Sequence, residues 1–496
     1  MARIRSGLAA EVSWAGTPCV YQIECPSRLF CCFESMISTL SHRRTPRALC
    51  CSLLACLGGL LLLASLAHAA TVSGASSKDR AGGHGGSTYP AAATRPFLRP
   101  SPRQYAHVAA SRGGALAPSS STTNSSSSSS SKTTTTKKKK AKPGLTGNPA
   151  RALLAFQTMQ KIYYIPGSGL YDGEPFSYLW PFSQALAATV TMANIPHSGV
   201  SFAHELQAEM VGLNSYLDTD NSGAPEGVFT STLTAFDGTV APPAGPGGAK
   251  YYDDNDWIGI ELARLYELDR NPSALGNAEA IMNFEMAGWQ TSPELGCPGG
   301  IPFSNSVENS TRNTITTAPA AELGLQLYRI TGNVQYLQFA EMAYQWVRSC
   351  LLQPSGLYAD HLNKKGVIEP TLWSYNQGVM IGAGTLLYQA TGNSAYLYQA
   401  RQTAKAAQVY FTPERLGGEN PFFPSVYFRN LMYLDSVTHD PPGPRIAQAY
   451  VNYAWLHLRL SNDLFVAGSP ASAQLLYQAA IVQIYGLLST SPSSYF

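Results

Sequence analysis

The chain has 496 residues with 34 Lys+Arg and 31 Asp+Glu, but the small net charge of +3 is a cancellation: residues 1–145 hold 18 basic and 4 acidic side chains, residues 146–496 hold 16 and 27. The acidic C-terminal part is rich in aromatic and aliphatic residues, which excludes intrinsic disorder there and disfavours a nucleic acid, whose phosphates it repels. A neutral polymer, a sugar or a cation is the easier partner.

Arg43, Arg44 and Arg47 precede an apolar run, Leu49 to Ala70, that ends in small residues around Ala67, His68 and Ala69. Basic flank, apolar core and small-residue end are the layout of an export signal. Residues 1–70 are therefore expected to be an export region, with Met36 as an alternative start that leaves residues 1–35 untranslated. Left uncleaved, the run is nearly long enough for a membrane anchor. Either way the expected location is secreted or cell-surface.

Residues 71–145 are rich in Ala, Gly, Ser, Thr and Pro, with a Ser run at 125–131 and a basic cluster from Lys137 to Lys140. Such a segment buries too little apolar surface to offset its ordering entropy, so a disordered linker is expected. Its lysines are either simply solvated or in contact with anionic wall polymers or membrane headgroups. Seven of nine cysteines lie at or before Cys56. The remaining two, Cys297 and Cys350, are either one disulfide or two buried thiols.

Residues 146–496 carry an internal repeat. LYELDRNPSALGNA (265–278), LYRITGNVQYLQFA (327–340) and LYQATGNSAYLYQA (387–400) each read as a helix end, a tight polar turn and a new helix start. Extending the pattern predicts helices at 148–163, 178–193, 202–218, 255–268, 273–290, 313–330, 334–352, 376–391, 394–411, 424–436, 444–461 and 471–488. Long loops separate the hairpins at 219–254, 291–312, 353–375 and 412–423. In an alternating array these loops fall on one face. Six inner and six outer helices make an all-α (α/α)6 barrel with its function at that rim.

The densest chemical candidate is YYDDNDW (251–257). Glycoside hydrolysis needs two carboxylates, one to donate a proton and one to attack or to activate water. Asp253 and Asp254 are the catalytic candidates, and Tyr252, Asp256 and Trp257 flank them. One helix cap needs only one Asp. The 291–312 loop adds Gly299, Gly300, Phe303, Asn309 and Arg312, followed by Asn313. The 353–375 loop adds Tyr358, Asp360, His361, Trp373 and Tyr375, leading into Asn376 and Gln377. Aromatic rings stack on sugar faces, and amides and guanidinium groups bond hydroxyls. No zinc spacing, nucleophile elbow or phosphate loop is present, so no metal and no cofactor is expected. The DTDNSG stretch from Asp218 lacks an acidic twelfth position and reads as an acidic turn.

On these residues the domain resembles glycoside hydrolase family 76, the endo-α-1,6-mannanases and their cell-wall relatives. The resemblance rests on YYDDNDW, GCPGGIPF (296–303), RNTITTAPAAELGLQLYRITGN (312–333), GLYADHL (356–362), WSYNQGVMIGAGTLLYQATGN (373–393) and VYFRNL (426–431). It implies endo-cleavage of α-1,6-mannosidic bonds in α-mannan with retention, Asp253 as nucleophile and Asp254 as acid/base. Pro302-Phe303 stands where the family usually has an aromatic pair, and Arg312-Asn313 where it often has Lys-Asn. A monomer that binds α-mannan and no nucleic acid is expected. The rivals are a wall transglycosylase on the same fold, a non-catalytic carbohydrate-binding wall protein, and an unsaturated-uronide hydrolase or similar (α/α)6 enzyme, which would lack the adjacent Asp pair and need a more basic site.

The topology carries one more expectation. Helices 273–290 and 334–352 are parallel ring neighbours that end at the loop-rich face. Cys297 and Cys350 therefore come together there, which predicts a disulfide.

Overall fold

The computed structural model describes residues 145–218, 233–306, 310–466 and 474–496. The expected export region, nearly all of the linker, most of the DTDNSG turn and Asn309 lie outside them. Among the described residues no helix is long and apolar enough to cross a membrane.

Every expected helix is present to within a few residues. In chain order they are α1 (Gly147–Tyr163), α2 (Leu179–Ala193), α3 (Ala203–Leu213), α4 (Tyr252–Asp269), α5 (Pro272–Ala287), α6 (Thr314–Thr331), α7 (Val334–Leu351), α8 (Ser374–Thr391) and α9 (Ser394–Tyr410), then α10 (Pro413–Gly418), α11 (Phe422–Thr438), α12 (Gly443–Tyr453) and α13 (Leu475–Leu487). The six-residue α10 falls in an expected loop, where Thr412 caps it and Pro413 opens it. The expected helix 202–218 stops at Leu213 and tightens into a 3₁₀ turn, Asn214–Tyr216. The last turn of the expected helix 444–461 widens into a π turn, Ala454–Leu458. Three two-residue strands at the rim, β1 (Arg312–Asn313), β2 (His361–Leu362) and β3 (Ile368–Glu369), were not foreseen; they form an antiparallel sheet in that order. Strands this short carry no alternating pattern to read.

Helices α2, α4, α6, α8, α11 and α13 each pack on the next, and α13 packs back on α2, closing an inner ring. Around it α3, α5, α7, α9 and α12 each lie on the inner helix before them, while α1 lies on α13. This is the (α/α)6 barrel. The two rings differ in burial as their sequences require. On α8 every residue from Asn376 to Leu387 is buried, whereas α7 buries one stripe that includes Tyr336, Phe339, Ala340, Ala343, Tyr344 and Val347.

The repeated turn has a single construction. Inner helices α6 and α8 end on Gly332 and Gly392 in the left-handed region (φ 74° and 71°), and each glycine N–H donates to the carbonyl of the repeat tyrosine, Tyr328 or Tyr388. The next residue, Asn333 or Asn393, caps the outer helix by accepting from Gln335 N or Ala395 N at 3.1 and 3.0 Å. Helix α4 makes the same turn with Arg270 at φ 61°, followed by the Asn271 cap. The outer helices repeat a cross-link as well: Tyr336 donates to Glu279 at 3.3 Å and Tyr396 to Glu341 at 3.2 Å.

These short turns all lie at one end of the barrel. The loops that lead into α4, α6, α8, α11 and α13 lie at the other, beside the N-termini of the inner helices. The first end is closed by charge and by the final residues: Glu261 accepts from Arg264 and Arg429 at 2.5 and 2.9 Å, and the Phe496 carbonyl accepts from Arg329 at 2.7 Å.

Candidate active site

The open end is built by one device repeated around the ring. The fourth residue of α4, Asn255, accepts from Phe236 N at 2.8 Å and donates to Phe236 O at 3.0 Å. The fourth residue of α8, Gln377, does the same to Tyr358 at 2.8 and 2.9 Å. In α13 Gln478 accepts from Phe465 N at 3.0 Å. In α6 the task is split: Thr317 accepts from Ile301 N at 3.0 Å and Thr316 donates to Ile301 O at 2.8 Å. A buried peptide must find partners for both its polar groups, so each clamp fixes one loop residue against one inner helix. Two positions beyond three of the clamped residues stand Gly238, Phe303 and Asp360, all at the rim.

Inside the rim lies a cleft of about 810 Å³. Its walls are aromatic: Tyr178 and Trp180 at the start of α2, Tyr251 before α4, Phe303, Tyr375 on α8, and Phe422 and Phe423 on α11. Tyr375 stacks on Phe423 with centroids 4.1 Å apart, and Phe422 receives the edges of Trp180 and Trp257 at 5.4 Å. Asp253 and Asp254 line the same cleft. None of the described lining residues is Lys or Arg.

The aspartate pair sits in the first turn of α4, which begins at Tyr252, three residues before the expected helix start. Asp254 is 8% exposed and Asp253 is half-buried. Burial pushes Asp253 up to about 7, opposed by the backbone N–H groups of Asp254 and Asp253 and assisted by the charge of Asp360. Burial and then the charge of Asp253 push Asp254 well above the usual carboxylate range. The helix amides thus favour ionisation at Asp253, and the proton of the pair resides on Asp254. The Tyr216 hydroxyl, close enough to Asp254 for its charge to be felt, donates to Ser177 O at 2.7 Å.

Beneath the pair, Asp256, Glu285 and Glu322 are buried, with carboxyl oxygens that have no hydrogen-bond partner. Burial raises all three, Glu322 to about 8. Among the described residues no group of His, Cys, Asp and Glu has the arrangement of a metal site.

The sequence candidates divide into two sets. Asp253, Asp254, Phe303 and Tyr375 line the cleft. Asp360 lies beside it, and its Oδ1 accepts from Asn376 at 3.2 Å. His361 Nδ1 is 2.8 Å from the other oxygen, Asp360 Oδ2.

The other candidates serve the scaffold. Tyr252 is buried and stacks on Phe284 of α5 at 4.4 Å, Trp257 is buried behind Phe422, and Asp256 has no exposed surface. Gly299 and Gly300 take φ of 112° and 79° against Trp346, where any Cβ would collide with the indole. The Arg312 guanidinium turns away from the cleft and donates to the carbonyls of Cys297, Gly299, Gly296 and Asn363 at 2.5 to 3.2 Å. Asn313, the buried residue before α6, stands apart from these: its side-chain oxygen has no hydrogen-bond partner, so no bond from that oxygen ties it to the scaffold. Trp373 is the residue before α8 and packs on Phe423. Gln377 is the Tyr358 clamp. Cys297 and Cys350 are bonded, with Cα atoms 6.3 Å apart.

The sequence reading overlooked Tyr178, Trp180, Phe422 and Phe423. Each stands at or beside the start of an inner helix, so applying the rim argument to every inner helix start finds them.

The family model for glycosyl hydrolase family 76 matches residues 151–427, more than half of the chain. The chain belongs to glycosyl hydrolase family 76. A curated relative, mannan endo-1,6-alpha-mannosidase DCW1 of Saccharomyces cerevisiae, is 26% identical over 193 residues, 32% of this chain and 42% of the yeast protein. The chain thus spans under half the length of such curated relatives. The fold of the family 76 mannosidase Bt3792 from Bacteroides thetaiotaomicron superposes with a TM-score of 0.60 at 19% identity, covering 69% of this chain and 98% of that one. An inactive variant of the family 76 α-1,6-mannanase of Salegentibacter sp. HEL1_6, with two consecutive aspartates changed to asparagine, is solved with α-1,6-mannotriose. It superposes with a TM-score of 0.56 at 20% identity over 69% of this chain and 99% of that one.

Proposed function

We propose that this family 76 chain cleaves the α-1,6-linked backbone of α-mannan internally and with retention, outside the cell or at its surface. The observation that carries the reading is the consecutive pair Asp253–Asp254 on the floor of an aromatic cleft, with the first carboxylate favoured by helix amides and the second held protonated. The names and bound sugars of the relatives supply the linkage.

Asp253 attacks the anomeric carbon while Asp254 protonates the departing glycosidic oxygen. The bond to the leaving sugar breaks as the bond to Asp253 forms, leaving a mannosyl ester on Asp253. Asp254, now ionised, takes a proton from water, and the hydroxide displaces Asp253 with a second inversion. Tyr251, Phe303, Tyr375 and Phe423 offer ring faces to the pyranoses, and the cleft's openness at the rim suits a polymer passing through.

Incubation with linear α-1,6-mannan, branched yeast mannan and other α-glycans tests the reading. Linear mannan is expected to yield mixed oligosaccharides with the α anomer first by NMR. Early β product refutes retention, and cleavage of another glycan alone refutes the linkage. Oligosaccharides longer than the substrate on addition of an acceptor indicate transglycosylation. The signal-like run and polar linker support export, with a monomeric barrel tethered near the wall; fractionation of cells expressing a tagged chain tests that.

A further inference from the structure

The loop that leads into α11 is held differently from its neighbours. On α4, α6, α8 and α13 the fourth residue clamps the incoming loop. The fourth residue of α11 is Ser425, and its hydroxyl donates to Phe422 O of its own helix at 2.7 Å. This loop is tied to α8 instead. Glu419, the residue after α10, accepts from Ser374 N at 3.0 Å with Oε1 and from the Ser374 hydroxyl with Oε2. Both residues are buried.

Ser374 is the first residue of α8, and Trp373 before it supplies no side-chain cap. A helix start has unpaired N–H groups and a partial positive charge, so a carboxylate brought from another loop serves it well. The next residue, Asn420, does the same for α11: its Oδ1 accepts from Phe422 N at 3.0 Å and its carbonyl from Phe423 N at 2.8 Å. Two consecutive residues thus hold the starts of two neighbouring inner helices. The rings beside this tie meet. Tyr375 stacks on Phe423 with centroids 4.1 Å apart, and Trp373 meets the same ring edge-on at 5.4 Å. Tyr375, Phe422 and Phe423 line the cleft that holds the Asp pair.

We propose that Glu419 is a positioning residue for the sugar-binding wall: it joins the start of α8 to the loop before α11, so that Tyr375 and Phe423 present one fixed, stacked surface to a pyranose. Stacking of two rings is weak by itself and leaves them free to slide. The carboxylate removes that freedom one residue away from Tyr375 and four from Phe423. A wall set in advance spares the sugar the cost of ordering it on binding. The Asp pair stands on α4 and does not depend on the tie, so the wall governs capture of the chain rather than the bond-breaking step.

The inference rests on the hydrolase reading only for its kinetic arm. The full chain, Glu419→Ala, Glu419→Gln and Ser374→Ala are compared by KM and kcat on α-1,6-mannan and by NMR of ¹³C-labelled tyrosine rings, with Tyr375 assigned through Tyr375→Phe. Glu419→Ala is expected to raise KM about threefold to tenfold, to leave kcat within about twofold, and to move the Tyr375 ring signals off their stacked positions. Glu419→Gln is expected to restore both readings, because its amide oxygen accepts from Ser374 N while its amide nitrogen donates to the Ser374 hydroxyl, turned to accept. Ser374→Ala keeps the bond from its N–H and is expected to fall between. If the alanine variant at 419 does not fold, Ser374→Ala decides on the same readings. An unmoved Tyr375 signal in Glu419→Ala overturns the proposal, as does a loss of kcat at unchanged KM or a glutamine variant as weak as the alanine one. A wild-type chain without mannan cleavage sinks the hydrolase reading, while the Tyr375 signals still decide whether Glu419 holds the stack.

Discussion

Gln377 lies edge-on to the peptide of Tyr358, accepting from its N–H and donating to its carbonyl, with neither side chain exposed to solvent. Truncation to alanine leaves a buried N–H and a buried C=O without partners, at a cost of about 1–3 kcal/mol for each group. Gln377→Ala is therefore expected to lower the urea midpoint markedly and to reduce kcat, because Asp360 follows two residues later. Gln377→Glu keeps the acceptor and loses the donor, and is expected to fall between. A variant with an unchanged midpoint shows that the clamp carries no stability.

The two members of the Asp pair are expected to fail differently. Asp253→Asn removes the attacking carboxylate and abolishes turnover of every substrate. Asp254→Asn spares the first step on aryl mannosides with good leaving groups, whose departure needs no proton, and abolishes cleavage of mannan. A burst of released phenol measures the first step. Mannan cleavage by Asp253→Asn at the wild-type rate removes the assignment.

Glu209 on α3 is buried, accepts from the hydroxyls of Tyr171 and Thr189 at 2.5 and 2.8 Å, and is pushed by burial up to about 8. The folded chain keeps a proton there that the unfolded chain releases around its ordinary value of 4.5. The stability this group contributes is full below that value and is lost as pH rises through about 8. The melting temperature is expected to fall between pH 5 and pH 9. Glu209→Gln, which keeps both accepted hydrogen bonds, is expected to flatten that fall; an equal slope in the variant overturns this account.

Arg270 ends α4 at φ 61°, where α6 and α8 have Gly332 and Gly392. A side chain in the left-handed region costs about 1 kcal/mol or more, partly offset here by the guanidinium 5.3 Å from the Tyr266 ring. Arg270→Gly is expected to stabilise the barrel by roughly 0.5–1 kcal/mol, read as a raised denaturation midpoint with activity unchanged.

The Cys297–Cys350 bond ties the Arg312-centred loop to the end of α7. Its loss through Cys350→Ser with Cys297→Ser is expected to cost about 2–4 kcal/mol and to speed proteolysis within 288–313. Equal guanidinium midpoints with and without reductant count against this.

The helices were legible because the repeat writes its own punctuation. Gly-Asn turns end one helix and cap the next, and a buried inner helix is apolar enough to find by eye. The Asp pair stood out because three acids at one helix start exceed what capping needs. The division of labour at the rim was not legible. An amide, a guanidinium or a pair of glycines near a helix start serves a sugar hydroxyl or a loop carbonyl equally well by composition. Gln377 and Arg312 took the carbonyls. Phe422 and Phe423 fell inside the expected loop 412–423 and were not singled out, because an aromatic ring is indistinguishable in sequence whether it faces a cleft or a neighbouring helix.

Ring closure between α13 and α2 has a consequence for how the chain is made. Most hairpins are local and can form as they leave the ribosome, yet the cleft stays incomplete until α13, which with the preceding Gln474 brings Leu476 to its lining, docks between α11 and α2. Gln483 of α13 donates to Gln184 of α2 across 299 residues of sequence, so that last seam is among the longest-range contacts in the barrel. Until it is sealed, nascent chains expose the apolar flanks of α2 and α11. That makes late synthesis the stage at which a chaperone is most needed and a premature stop most damaging.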